Sequence, residues 1–298
     1  MTHRQAVVLM VCVTLMWSTA GVITRHLEAA RSFEVTFWRS AFNALALAVA
    51  FTATRGVAFW RDLLRSPGSV WVSGVCWSVM FTAFMVAITL TSVANVLVTM
   101  ASGPLLTALF ARFALGHRLA ARTWAAIVVA GIGIAWMFGH AAEASAPGQL
   151  LGVAVALCVP LAGAINWTLL QHTHHGEDEA DDSKDMTGAL LLGALISALV
   201  ALPLALPLQA SPHDLGLLAV LGVFQLAVPC LLVVRLTRVL PAPEIALLGL
   251  LEVIFGVTWA WLGAGEQPSA ATLGGGALVL GALGANEALA LRLRGSRR

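Results

Sequence analysis

The sequence predicts an all-α membrane protein of ten transmembrane helices, arranged as two inverted five-helix repeats. Three observations predict it. First, 59% of the 298 residues are hydrophobic and only 11% are charged, against roughly 25% charged in soluble domains; the mean hydropathy is +0.88. Second, apolar runs of about 20 residues, the length that crosses a ~30 Å hydrocarbon core, recur along the whole chain. Third, the basic residues fall almost entirely on one side of the topology that these runs define.

The runs span residues 5–24, 32–53, 69–91, 94–115 and 121–139 in the first half, and 148–170, 186–207, 215–235, 243–264 and 271–290 in the second. They do not alternate apolar and polar residues, so they are helices and not barrel strands. The first run follows Arg4 and is not succeeded by a small-residue cleavage signal, which reads as a retained helix. Helices 3 and 4 nearly touch between Thr91 and Ala94. Pro104, Pro160, Pro203, Pro207 and Pro229 fall within spans, where each removes a backbone hydrogen bond and sets a kink or a hinge.

With the N-terminus inside, the inner side carries Arg4, Arg55, Arg61, Arg65, Arg112, Arg118, Arg122, Lys184, Arg235, Arg238, Arg292, Arg294, Arg297 and Arg298, and the outer side only Arg25 and Arg31. Fourteen against two puts both termini in the cytoplasm, of a bacterial inner membrane by expectation. The longest loop, QHTHHGEDEADDSKD, is then cytoplasmic. His172, His174 and His175 beside six acidic residues are metal-ligand types, but the loop over 172–185 lacks the fixed spacing of a structural site and reads as a solvated tether. Cys12, Cys76, Cys158 and Cys230 lie in apolar spans and read as small buried hydrophobes.

The chain repeats itself. Gly116-His117 matches Gly265-Glu266 at an offset of 149, and Trp17-Ser18 is echoed by Trp167-Thr168 at an offset of 150. This defines halves of residues 1–145 and 146–298. Five helices per half is an odd number, so the second half enters from the opposite side. Inverted repeats of this kind let two like halves rock about a central site.

The motifs Leu15-Met16-Trp17-Ser18, Phe37-Trp38-Arg39-Ser40, Pro104, Gly116-His117, Pro241-Ala242-Pro243-Glu244, Leu251-Glu252 and Gly265-Glu266-Gln267-Pro268 resemble the drug/metabolite transporter superfamily. The likeness is to its EamA-type ten-helix exporters over nearly the whole chain, and the pairing of PAPE with LLE looks like the YddG amino-acid exporter branch. His117 stands where the family usually has Glu, and Val253 where Pro is usual. The resemblance implies a central cavity enclosed by the first four helices of each half, with the fifth and tenth peripheral.

Ionisable groups within a span are costly and mark function by default. Glu252 lies nine residues past Pro243, about 14 Å deep at 1.5 Å per residue. A carboxylate there must face a wet cavity, pair with a cation or be protonated. Arg39 lies about 10 Å from the outer face. It is placed to pair with Glu252, to grip a substrate carboxylate in a bidentate fork, or to snorkel. Glu34 and Glu244 lie within a turn of a helix end and serve equally well as caps, interface groups or ligands. Trp60, Trp71, Trp124, Trp136 and Trp261 read as interfacial belt residues. Trp17, Trp38, Trp77, Trp167 and Trp259 lie deeper and are available to line a cavity. Asn43, Asn95, Asn166 and Gln225 are amides in apolar spans that need partners from another helix or from water. The candidate substrate-binding set is therefore Trp17, Arg39, Asn43, Trp77, Asn95, Asn166, Trp167, Gln225, Glu244 and Glu252.

No nucleotide loop of the G-x-x-x-x-G-K-[ST] type and no H-E-x-x-H motif is present, so neither a nucleotide-driven pump nor an intramembrane metalloenzyme is expected, and no cofactor. The net charge of +2 gives no reason to expect nucleic-acid binding. The expected activity is secondary transport: export of small metabolites, aromatic and neutral amino acids foremost, by a monomer in the lipid bilayer. A broad drug or organic-cation exporter is the alternative, and a non-transporting scaffold or receptor is the reading from a different class.

Overall fold

The computed structural model describes the chain except for residues 115–119, 144–147, 175–186, 237–238, 241–247, 250 and 296–298. The described residues are overwhelmingly helical, with no strand among them. Among the described residues, seven helices are long and apolar enough to cross a membrane, and three shorter apolar helices, Ala121–Trp136, Leu251–Ala264 and Ala270–Asn286, accompany them. The chain is a multi-pass membrane protein.

Helix α1 (His3–Thr24) starts at a capping box, in which the Thr2 hydroxyl accepts from the Gln5 amide N–H and the Gln5 side chain accepts from the Thr2 N–H, meeting two donors that the first turn leaves open. Helix α2 (Ser32–Arg55) stops at Gly56, whose φ of 69° an L side chain rarely adopts. A short helix, α3 (Ala58–Leu64), follows where the sequence predicts only a loop. Its Phe59 is buried against Phe51, with ring centroids 4.8 Å apart, and the Trp60 indole donates to the Thr52 hydroxyl at 3.0 Å. Helix α4 (Gly68–Leu90) turns within two residues into α5 (Val93–Met100), capped by the Ser92 hydroxyl.

The predicted fourth span is interrupted. Helix α5 ends at Ala101-Ser102 and α6 (Gly103–Ala114) resumes directly. Pro104 has no N–H to continue the ladder, and the Ser102 hydroxyl turns back to the Thr99 carbonyl at 2.7 Å. Helices α7 (Ala121–Glu143), α8 (Gln149–His174) and α9 (Thr187–Ala205) follow. Helix α10 (Pro212–Val220) begins at a second capping box made by Ser211 and Asp214. It runs into a π-helical turn (Leu221–Ala227) and then α11 (Val228–Leu236). The chain closes with α12 (Leu251–Ala264) and α13 (Ala270–Gly295).

The packing pattern is matched when the halves are exchanged. Helix α1 lies against α12, and α8 lies against α5 and α6; α4 lies against α8, and α11 with the π turn against α1. Helix α2 crosses α9, and α7 pairs with α13. Small residues let these helices approach closely. A Cβ on Gly193 of α9 would lie 2.5 Å from the Trp77 Cβ, and one on Gly133 of α7 would lie 2.7 Å from the Gly275 carbonyl. Large apolar side chains such as Leu45, Val49, Leu199, Val200 and Phe224 point outward, as lipid-facing residues do.

Candidate functional site

Polar side chains collect in the interior where α1, α2, the π turn and α12 meet. Arg39 of α2 is 2% exposed. Its Nε and Nη2 both donate to the Gln225 Oε1, at 3.2 and 2.9 Å. The Gln225 Nε2 donates in turn to the Trp17 carbonyl of α1 at 3.1 Å. The Arg39 guanidinium also lies 5.5 Å from the centroid of the Phe84 ring, a cation–π distance. Its remaining nitrogen, Nη1, has no hydrogen-bond partner among the described residues.

Local structure explains why Gln225 can reach. A π-helical turn widens the helix by one residue and re-aims its side chains, and such turns concentrate at functional sites. This one is pressed onto α2: a Cβ on Gly222 would sit 2.7 Å from the Arg39 carbonyl oxygen and 2.9 Å from the Asn43 nitrogen. Only glycine permits that approach, so the backbone contact sets the register in which Gln225 faces Arg39.

Glu252 lies on α12. It is half-buried and within electrostatic reach of Arg39, but the two do not form a contact ion pair; the contact partner of Arg39 is the neutral amide of Gln225. Asn43 lies one turn from Arg39, is 1% exposed, and has no partner among the described residues for either amide atom. The Trp38 indole nitrogen is also unpartnered among the described residues, while its ring stacks on Phe42 at 5.8 Å.

The other predicted site residues divide. Trp17 packs over the cluster that contains Cys230, and Trp77 stacks against Phe81 in the same cluster. Asn166 accepts from the Ser73 hydroxyl at 2.6 Å and leaves its Nδ2 unpartnered. Asn95 belongs elsewhere: it donates to the Thr91 hydroxyl at 3.1 Å and accepts from the Thr272 hydroxyl at 2.7 Å, pegging α5 to α13. Trp259, grouped by sequence with the deep tryptophans, is 40% exposed and faces outward. Trp167 lies on α8, but its side chain falls outside the described residues, as do Glu244, Gly116-His117 and, for its side chains and most of its backbone, the His-rich acidic loop.

Sequence reasoning missed a chain of hydroxyls beside Arg39. Ser40 of α2 and Thr82 of α4 each lie 2.9 Å from the Ser197 hydroxyl of α9. Ser197 is the one hydroxyl between Thr187 and Ala205, and that isolation was the available signal. It also underrated three carboxylates at one end of the bundle. Asp214 accepts from the backbone N–H groups of Glu28, Ala29 and Ala30 at 2.8–2.9 Å. Glu34 accepts from those of Gln209 and Ala210. Glu266 accepts from the Val93 N–H at 2.6 Å and from Arg25 at 2.8 Å.

The EamA-like transporter family matches the chain twice, over residues 4–139 and 150–285. The chain belongs to that family. Its members are transporters and not enzymes, and the double match makes the two-repeat architecture of the chain explicit. A solved structure titled "Crystal structure of protein" is similar over 97% of this chain and 99% of its own, at 21% identity and a TM-score of 0.64, which is a likeness of fold. No curated protein matches the chain significantly.

Proposed function

We propose that this EamA-like chain is a ten-helix secondary transporter of a bacterial inner membrane, with both termini cytoplasmic, that exports small metabolites by alternating access. The halves are residues 1–145 and 146–298, inverted about a central substrate path. The fourteen-to-two distribution of basic residues supports the orientation. The exchange-matched packing supports the two-half division, and the odd number of spans in each half supports the inversion.

Amino acids, neutral and aromatic, are the proposed cargo. One observation carries this reading: Arg39 is a buried cation whose contact partner is neutral and whose Nη1 is unpartnered among the described residues. A buried charge without a counter-ion in contact is expensive, and a substrate carboxylate is the group that would complete it. Glu252 stands within electrostatic reach to receive the ammonium end. The amides of Asn43 and Gln225 and the rings of Trp17, Trp38 and Phe84 complete the wall.

The test is flux in proteoliposomes with labelled phenylalanine and its decarboxylated amine. Arg39→Gln should cut amino-acid flux about a hundredfold, the loss of one buried charge-assisted contact of roughly 3 kcal/mol, and spare the amine. Glu252→Gln should impair both, and the double variant should cost less than the sum of the two if the groups are coupled. If both single variants fold and carry phenylalanine at the parent rate, the reading is wrong. A parent that carries only the amine, with Arg39→Gln unaffected, establishes the organic-cation exporter instead, for which the Trp38–Phe42 stack and Glu252 are the supporting features.

A further inference from the structure

We propose that the Arg25–Glu266 pair is a releasable latch that holds the outer mouth of the transport path shut, and that the structure is the outward-closed state. The inference rests on the orientation proposed above for the word "outer", but its geometry does not. Glu266, between α12 and α13, accepts from the Arg25 Nε at 2.8 Å and from the first backbone N–H of α5 at 2.6 Å. The Arg25 Nη2 donates to the Thr91 carbonyl at 2.8 Å. Four segments that end three different helices and begin a fourth are thus joined by two side chains, one from each half. The side chains of Arg25 and Glu266 are 29% and 18% exposed, so water can compete for both ends and the link can be exchanged. This separates the pair from Asp214, which is completely buried under the α1–α2 connection and reads as permanent.

Directly beneath the latch, α1, α5 and α12 are packed in close contact. A Cβ on Gly21 would lie 2.5 Å from a Val93 methyl, one on Gly263 would lie 2.7 Å from a Val22 methyl, and one on Gly256 would collide with Leu97. Glycine-tight contacts of this kind depend on close approach and lose their dispersion energy over a small separation. A gap of about 0.5–1 Å already forfeits roughly a quarter to a half of each contact. The latch therefore governs a seal with two discrete states, the kind of element that alternating access requires.

The seal supplies its own probe. A Cβ on Gly263 would stand 3.9 Å from the Val22 Cβ, within the 3.5–4.5 Å that a disulfide spans. In a background lacking the four native cysteines, Val22→Cys with Gly263→Cys should cross-link rapidly under mild oxidation, counted as loss of free thiol. Adding Arg25→Gln and Glu266→Gln should slow closure of that bond about tenfold. Separately, a Ser18→Cys reporter, buried below the seal on α1, should be nearly inert to a membrane-impermeant maleimide in right-side-out vesicles. Releasing the latch should raise its labelling about tenfold. If cross-linking and labelling are the same with and without the latch, from both membrane faces, the latch is not one. If release raises labelling only in inverted vesicles, the latch stands and the orientation proposed for the chain is reversed. Val22→Cys alone and Ser18→Cys alone, both conservative in volume, report whether the background still folds.

Discussion

Two sets of polar side chains are treated in opposite ways. At the end of the bundle that carries residues 25–31, 206–211 and 265–269, Glu34, Asp214 and Glu266 each accept two or more hydrogen bonds from backbone or arginine. In the interior layer, Trp38 Nε1, Arg39 Nη1, both amide atoms of Asn43 and Asn166 Nδ2 find no partner among the described residues. Asp214 is 0% exposed and Asn43 1%, so burial does not separate the sets; partnership does. Buried polar groups are almost always paired. The first set is explained by the architecture it braces. The second calls for water or cargo, which is what a transport path contains.

The comparison breaks most easily at Asp214. Asp214→Ala removes an acceptor shared by three backbone donors and the cap of α10, and a charged acceptor is worth roughly 1.5–3 kcal/mol per bond. The expected loss is about 4 kcal/mol of stability, seen as a lower melting temperature in detergent. An unchanged melting temperature would move Asp214 out of the bracing set.

Gln225→Glu sharpens the comparison from the other side. It gives Arg39 the contact carboxylate that the protein withholds, so the interior layer becomes self-satisfied. The fold should gain about 1 kcal/mol, while amino-acid flux falls at least tenfold because the protein now competes with its cargo. A variant that is more stable and equally active would mean that Gln225 only fills space. The smallest effect is expected at Trp259, which faces outward. Trp259→Ala should change stability by about 0.5 kcal/mol or less and leave flux at the parent rate; a large loss of flux would return it to the cavity wall.

Much of this was legible in the sequence, and the misses have physical reasons. Where both ends are described, the long helices begin and end within a few residues of the apolar runs, because membrane insertion reads hydropathy summed over about 20 consecutive residues. Arg39, Asn43 and Asn166 stood out because a polar group in such a run is conspicuous. The break at Ala101-Ser102 was only hinted at by Pro104. The π turn had no local signal, since LGVFQLA is ordinary helical sequence and its widened backbone answers to the approach of α2 at Gly222. Asn95 looked the same as Asn43 in sequence, yet one is fully engaged and the other is not.

What the sequence by itself determined is everything that depends on neighbours along the chain: the solvent, the spans, the repeat and the positions of the costly residues. What only the tertiary structure decided is which of those residues find one another. Arg39 meets Gln225 across 186 positions, and Arg25 meets Glu266 across 241. Hydropathy is additive and survives errors of a residue or two. A hydrogen bond acts over about 3 Å and within a narrow angle, so its existence turns on how the helices cross.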